Sequence, residues 1–233
     1  MLSFRNLSWW LLALVAVPSF AADVARGKAS CRGDRYEYVL FSSGYERQPA
    51  ILLLHGAGGS PDSMVDAWKD FAKKNGIALI APSLPREEKF EALAPAVFHC
   101  VLADAQTHAK FDTAKTYIFG YSMGGYLAFD AITLDSENYA GAAIFANGIE
   151  DQYASILDKA NRRVPVALYI GDSDRVYPIA QTRKTRTMLE DHGYTLHYRE
   201  VPGANHNYFA VAKEINAETW KFWTDHPVSA HKK

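Results

Sequence analysis

The sequence predicts an α/β fold with a mostly parallel, doubly wound sheet and helices on both of its faces. Apolar, β-prone runs alternate along the chain with segments of helical periodicity, and strands that alternate with helices form parallel sheets. Several of these runs are apolar at nearly every position, which is typical of strands that helices cover on both faces. The chain has 233 residues, 48% of them hydrophobic, and this is enough to bury a sizeable core.

Seven apolar runs are predicted to be strands. In chain order they cover residues 36–41, 50–56, 77–83, 116–122, 141–148, 164–172 and 195–203. Ligands of a doubly wound sheet bind beyond the carboxyl ends of its strands. The residues that follow each run are therefore the ones to examine for function.

Helices are predicted between most of these strands. One helical segment ends on Asn75-Gly76 and another ends at Gly193, and both endings are typical of helix C-termini. The segment 95–111 repeats apolar residues at helical spacing, and the last helix is predicted over 209–223.

The first 21 residues are predicted to be a signal peptide. One basic residue, Arg5, precedes the apolar run 9–17, which is too short to span a bilayer. Small residues follow, and cleavage after Ala21 fits them better than cleavage after Ala22. We therefore expect a secreted or periplasmic protein, a single domain over 22–233, and no stable membrane association after cleavage; the alternative is an uncleaved membrane anchor.

The net charge and the cysteine content bear on the protein's binding partners and on its disulfide bonding. The formal net charge is −1, so the chain has no basic field for nucleic acid. The chain has two cysteines, Cys31 and Cys100. In an exported protein such a pair is a disulfide candidate, and the alternative is a buried thiol at Cys100, which lies in an apolar helical pattern.

The first candidate reactive residue is Ser122, in the stretch "GYSMGG" directly after a predicted strand. Gly-x-Ser-x-Gly between a strand and a helix is typical of a strained turn that exposes a nucleophilic serine. A helix that begins near Met123 would point its N–H groups toward developing negative charge. The alternative is packing, in which Gly125 lets a helix lie close to the sheet.

Two more strand ends carry residues that complete this chemistry. Asp172 and Asp174 come directly after the apolar run 164–170, and either carboxylate could orient a histidine. Asp174 is preferred because Asp172 leaves the strand first and suits a turn. His206 lies in a Gly/Asn loop after the strand 195–203. The three residue types thus each follow a strand, in the chain order serine, aspartate, histidine.

A glycine-rich turn, "HGAGGS" at 55–60, follows the second predicted strand. A tetrahedral intermediate needs backbone N–H donors, and we expect one from Met123 and one from this turn, from Ala57 first and Gly58 second. A dinucleotide loop is excluded because Pro61 stands where a third glycine is needed. No metal-ligand spacing is seen either, so neither a metal nor a cofactor is expected.

These motifs resemble those of the α/β-hydrolase superfamily over essentially the whole mature chain. Within it, the chain is most similar to small carboxylesterases of the dienelactone-hydrolase, feruloyl-esterase and polyhydroxybutyrate-depolymerase-like group. The resemblance implies Ser122 as nucleophile, His206 as base and Asp174 as the residue that orients it. Dienelactone hydrolases proper carry cysteine as the nucleophile, so the serine argues against that chemistry here.

The predicted function is therefore serine-dependent hydrolysis of small-molecule carboxylic esters. The short connection after the strand 141–148 predicts no sizeable lid, which favours short-acyl or aryl esters. Tyr121 and Tyr177 are candidate walls of the substrate pocket. The alternatives are a serine peptidase or amidase of the same fold, and a non-catalytic binding protein with a hydrolase-like fold.

Overall fold

A computed structural model describes residues 23–85 and 94–228, so the predicted signal peptide lies outside the described residues. Within these ranges the chain forms eight strands in one sheet. They are β1 (Asp23–Cys31), β2 (Asp34–Ser42), β3 (Gln48–Leu54), β4 (Ala78–Pro82), β5 (Phe111–Tyr121), β6 (Gly141–Phe145), β7 (Val166–Gly171) and β8 (Leu196–Val201).

Helices connect most of the strands. They are α1 (Pro61–Asn75), α2 (Ala94–His108), α3 (Met123–Leu134), α4 (Ala154–Leu157), α5 (Ile179–Asp191) and α6 (Ala212–Asp225), with short 3-10 turns at Ser136–Asn138, Asp151–Tyr153 and Tyr208–Ala210. The predicted C-terminal signal of α1 is confirmed, because Gly76 adopts the left-handed conformation with φ 68°.

The strand order is β1-β2-β4-β3-β5-β6-β7-β8. The six strands from β4 to β8 in this order are parallel, and β1 and β2 are antiparallel to their neighbours. Helices α2, α3 and α5 pack on one face of the sheet, whereas α1 and α6 pack on the other. The predicted doubly wound, mostly parallel sheet is confirmed.

The edge strand β1 was not among the predicted strands. Most of its side chains are exposed, so its sequence lacks the apolar pattern that identifies a buried strand. It pairs with β2 along its whole length through a two-residue turn at Arg32-Gly33. Both turn residues have positive φ, 52° and 94°, which matches the twist of a tight hairpin.

Several predicted boundaries were wrong by three residues or more. The helix predicted over 95–111 ends at His108, and Phe111 begins β5 instead. The strand predicted over 141–148 ends at Phe145. Ala146 has a left-handed backbone with φ 59°, and this conformation is incompatible with an extended strand.

The connection between β6 and β7 is short, as the sequence predicted. Residues 146–165 contain one 3-10 turn and the four-residue helix α4. The connection therefore carries no sizeable lid over the carboxyl ends of the strands.

A disulfide joins Cys31, the last residue of β1, to Cys100 on α2. The two Cα atoms are 5.7 Å apart and the residues are separated by 69 positions in the chain. The bond fixes the end of the exposed β1–β2 hairpin to a helix that packs on the sheet.

The double variant Cys31→Ser/Cys100→Ser is expected to lose about 4 kcal/mol of unfolding free energy, because a long loop is no longer closed in the unfolded chain. Urea unfolding without reductant measures the loss. The reduced wild-type protein serves as the control and should unfold like the variant. Equal stability of the oxidised wild-type protein and the variant would contradict the prediction.

Candidate active site

Ser122 forms the turn between β5 and α3, and its backbone has φ 51° and ψ −119°. This conformation is disfavoured for any residue with a Cβ atom. The Ser122 N–H donates to the carbonyl of Phe145 at 2.9 Å, and the side-chain amide of Asn147 donates to the Ser122 carbonyl at 2.7 Å. The end of β6 therefore holds both polar backbone groups of the strained residue.

The glycines around Ser122 are required by close contacts. A Cβ atom on Gly120 would lie 2.4 Å from the carbonyl oxygen of Gly124, and one on Gly124 would lie 2.4 Å from the carbonyl oxygen of Leu54. Neither position admits a side chain without moving the backbone. A Cβ atom on Gly125 would lie 2.7 Å from Cβ of Asn147, so this third glycine lets α3 pack closely on the sheet.

His206 contacts both other candidate catalytic residues. Its Nε2 lies 2.9 Å from Oγ of Ser122, and its Nδ1 lies 2.8 Å from Oδ2 of Asp174. An ionised carboxylate only accepts hydrogen bonds, so Nδ1 carries the proton and Nε2 presents its lone pair to the serine hydroxyl. Ser122 and His206 are partly exposed, whereas the side chain of Asp174 is fully buried.

The geometry shows which of the two candidate aspartates, Asp172 or Asp174, contacts the histidine. Oδ1 of Asp174 accepts hydrogen bonds from the N–H groups of Val176 and Tyr177 at 2.8 and 2.9 Å, which leaves Oδ2 for the histidine. Asp172 instead accepts from the N–H of Gly203 at 2.8 Å. Asp172 therefore joins two loops, and Asp174 is the residue against His206.

The glycine-rich turn lies against the serine, since a Cβ atom on Gly56 would be 3.1 Å from Cβ of Ser122. Buried His55 fixes this turn. Its Nε2 accepts from the N–H of Leu84 at 3.1 Å, so its Nδ1 carries the proton and donates to the Gly56 carbonyl at 2.8 Å. The same carbonyl accepts from the Gly59 N–H at 2.9 Å.

The three residues predicted to donate to the oxyanion are Ala57 and Gly58, which lie in this turn, and Met123, which begins α3. Ala57 and Gly58 are exposed, and within the described part of the chain their N–H groups make no backbone hydrogen bond. Met123 is the first residue of α3, so its N–H has no acceptor within the helix. The Gly59 N–H, in contrast, is already bonded.

An open groove of about 680 Å³ lies beside His206. Its lining residues come from the loops after β7 and β8 and from the end of β5: Tyr121, Ser173, Arg175, Val176, Gly203, Asn205, His206, Asn207 and Phe209. Val176 is 71% exposed and Phe209 is 42% exposed, so apolar surface is available to a substrate on this side of the histidine.

Tyr121 and Tyr177, the two tyrosines predicted to line the substrate pocket, have different surroundings. Tyr121 lines the groove. Tyr177 is not among the groove residues; its hydroxyl donates to the Gly148 carbonyl at 3.0 Å, and its ring packs edge-on against Tyr126. Tyr177 thus links the acid loop to the connection after β6.

Two site residues were missed by the sequence analysis, His55 and Asn147. Each is a buried polar residue within two positions of the end of an apolar strand, and that position is the only sequence signal for either. Burial lowers the pKa of His55, so the neutral ring that accepts from Leu84 is favoured.

The described residues contain no group of three or more His, Cys, Asp or Glu side chains arranged to hold a metal ion. Across the same residues, every helix is too short or too polar to cross a membrane.

Replacing Ser122 with glycine is expected to give a more stable protein than replacing it with alanine, by about 1 kcal/mol, since glycine alone is unstrained at this φ. Both variants lack the hydroxyl, so the comparison isolates the backbone. Urea unfolding measures the difference. If the alanine variant is the more stable of the two, the turn is not strained.

Stability below neutral pH is expected to depend on His55. Its pKa is lowered from 6.5 in the folded chain, so the unfolded chain takes up the proton first and the unfolding free energy falls as the pH drops through 6.5. In His55→Gln this fall between pH 7 and pH 5 should be smaller, whereas His108→Gln, on an exposed side chain, is the control. An unchanged slope in His55→Gln would refute the prediction.

Solved structures similar to this chain share its fold. One is a thermostable esterase with 17% identity and a TM-score of 0.68; the match covers 88% of this chain and 63% of the esterase. Another is the S-formylglutathione hydrolase FrmB of Staphylococcus aureus, with 16% identity and a TM-score of 0.66; the match covers 88% of this chain and 99% of FrmB. A puromycin-hydrolysing peptidase of Mycobacterium tuberculosis is also similar, with 18% identity and a TM-score of 0.71; the match covers 94% of this chain and 41% of the peptidase. The chain thus spans less than two thirds of the length of the esterase and of the peptidase.

No curated protein matches the chain by sequence. The family model of the dienelactone hydrolase family, however, matches residues 37–226. This match runs from β2 to the end of α6 and includes the serine turn, the acid loop and the histidine loop. The α/β-hydrolase fold expected from the motifs is confirmed, and the chain belongs to the dienelactone hydrolase family.

Proposed function

We propose that the protein is a serine-dependent carboxylic ester hydrolase that works through an acyl-enzyme. The observation that carries this proposal is the continuous chain of hydrogen bonds from buried Asp174 through His206 to Ser122 Oγ, with Nε2 and Oγ 2.9 Å apart. Serine is a weak nucleophile unless an adjacent base removes its proton, and a neutral imidazole held by a carboxylate is such a base.

In the proposed reaction, Ser122 Oγ attacks the ester carbonyl while its proton moves to Nε2 of His206. The negative charge on the substrate oxygen is stabilised by the N–H of Met123 together with that of Ala57 or, failing that, Gly58. Nε2 then gives its proton to the departing alcohol, which leaves the acyl group on Ser122. Water then attacks this acyl-enzyme while His206 takes its proton, the bond from Oγ to the acyl carbon breaks to release the carboxylic acid, and Nε2 returns the proton to Ser122 Oγ.

Short-acyl or aryl esters are the proposed substrates. The short β6–β7 connection and the open groove beside His206 favour small soluble esters over aggregated lipids. Export to an oxidising compartment, secreted or periplasmic, is part of the proposal, and the disulfide between Cys31 and Cys100 is consistent with it.

Hydrolysis of p-nitrophenyl esters from acetate to palmitate is the direct test. The wild-type protein should prefer short chains, and Ser122→Ala should lower kcat by several powers of ten, because the nucleophile is absent. A fluorophosphonate should label the wild-type protein at Ser122 and leave the alanine variant unlabelled.

Unchanged ester turnover in Ser122→Ala would refute the serine mechanism. Faster hydrolysis of the matching p-nitroanilides than of the esters would point instead to an amidase or peptidase. Absence of both turnover and labelling in the wild-type protein would favour a binding protein.

A further inference from the structure

One hydrogen bond connects the serine turn directly to the loop that carries the histidine. The hydroxyl of Tyr121 lies 2.9 Å from the backbone carbonyl oxygen of His206. A carbonyl oxygen only accepts, so the tyrosine donates. The two residues are 85 positions apart in the chain, yet Tyr121 is the residue immediately before the candidate nucleophile.

The rest of the histidine loop is held at its two ends. On one side, Gly171 lets the loop lie on the end of β7, because a Cβ atom there would be 2.3 Å from the carbonyl oxygen of Ala204. On the other side, the buried hydroxyl of Tyr208 is bonded to the side chain of Asn216 on α6. Between these two anchors, the Tyr121 hydroxyl donates to the carbonyl of His206.

Loop residues next to His206 bond only locally. Asn205 accepts from the N–H of Asn207 at 2.9 Å, and Asn207 accepts from the N–H of Phe209 at 3.1 Å. These short-range bonds shape the loop but do not fix its distance from the serine. The acid loop contacts this loop through the Ser173 N–H, which donates to the Ala204 carbonyl at 2.9 Å, and through Asp174, which bonds to the His206 ring. The Tyr121 hydroxyl is the contact that comes from the serine turn itself, and it reaches the backbone of His206.

The chemical state of the tyrosine suits this role. Burial, and after it the charge of Asp174, raises the pKa of Tyr121, so the hydroxyl keeps its proton and stays a donor. Its ring meanwhile lines the groove and lies edge-on to Phe209, with the ring centroids 5.7 Å apart. The ring and the hydroxyl thus have separate tasks.

We propose that the Tyr121 hydroxyl is a positioning group that holds the backbone of His206 so that Nε2 stays within hydrogen-bond reach of Ser122 Oγ. This inference rests on the proposed function, in which His206 is the base. Tyr121 would then influence the positions of both Ser122 and His206, since its backbone is bonded to Ser122 and its hydroxyl holds the backbone of His206. A shift of about 1 Å between such groups lowers rates by up to 10²-fold.

Tyr121→Phe removes the hydroxyl and keeps the ring in the groove. We expect kcat for p-nitrophenyl acetate to fall about 10-fold, with KM within about twofold of wild type because ring contacts to the substrate remain. The second-order rate of fluorophosphonate labelling should fall by the same factor as kcat. Tyr198→Phe, which loses a tyrosine hydrogen bond to Glu200 on β8, is the matched control and should leave both rates unchanged.

A donor at the same place should restore the rate. Replacing Tyr121 with 4-aminophenylalanine supplies an N–H toward the His206 carbonyl, and we expect most of the lost kcat to return, whereas 4-methoxyphenylalanine, which cannot donate, should not restore it. A merely structural role would appear as a lowered thermal midpoint with no recovery by the amine.

Two failures can be told apart with Ser122→Ala in the same assay. If Ser122→Ala is inactive but Tyr121→Phe matches wild type in kcat and labelling rate, the positioning role is wrong and the proposed function stands. If Ser122→Ala keeps its activity, the proposed function itself is wrong.

Discussion

A single close crossing, where the end of β5 and the first turn of α3 pass the end of β3, determines where the reactive groups lie. Carbonyl oxygens of Gly124 and Leu54 occupy the space that side chains at Gly120 and Gly124 would need. Ser122, between these two glycines, has a strained backbone with φ 51°, which costs about 1–3 kcal/mol. Hydrogen bonds from the end of β6 to both backbone groups of Ser122 maintain that conformation.

The candidate base, His206, lies on a loop that is held by other parts of the molecule. The loop that carries it is anchored by Tyr208, whose buried hydroxyl bonds to Asn216, and Asn216 in turn donates to the carbonyl of Ala67 on α1 at 2.8 Å. Ser122 is therefore held by the sheet, whereas the histidine loop is held by α6 and α1 at one end and by the end of β7 at the other. The contact from Tyr121 to the His206 carbonyl adds a direct connection between the serine turn and this loop.

The sequence predicted the parts of the site that depend on residue type and on position at a strand end. Ser122, Asp174 and His206 follow three strands whose carboxyl ends must meet once the sheet is parallel. The choice between Asp172 and Asp174 could not be settled beforehand with equal certainty, because both follow β7 closely. Only the fold turns Asp172 toward the loop after β8 and Asp174 toward the histidine.

Features that depend on contacts between distant segments could not be predicted. The amide of Asn147 reaches a residue 25 positions away, and nothing in the local pattern distinguishes it from an ordinary turn residue. Strand β1 forms by backbone pairing with β2 while most of its side chains face solvent, so the apolar periodicity that revealed the buried strands is missing there. The hydrogen bond from the Tyr177 hydroxyl to the Gly148 carbonyl also joins segments far apart in the chain, so no local sequence pattern indicated it.

Among the three candidate catalytic residues, Asp174 is fully buried while Ser122 and His206 are partly exposed, as the proposed chemistry requires. A fully buried carboxylate is costly unless its oxygens are bonded, and Asp174 has two N–H donors besides His206. In the proposed reaction its charge stabilises the imidazolium that forms when the serine loses its proton. Ser122 and His206 remain partly exposed, and His206 lines the open groove. The proposed mechanism uses one histidine as base in both half-reactions, and the exposure of these two side chains leaves the site accessible to the ester and to the water that would release the acyl group.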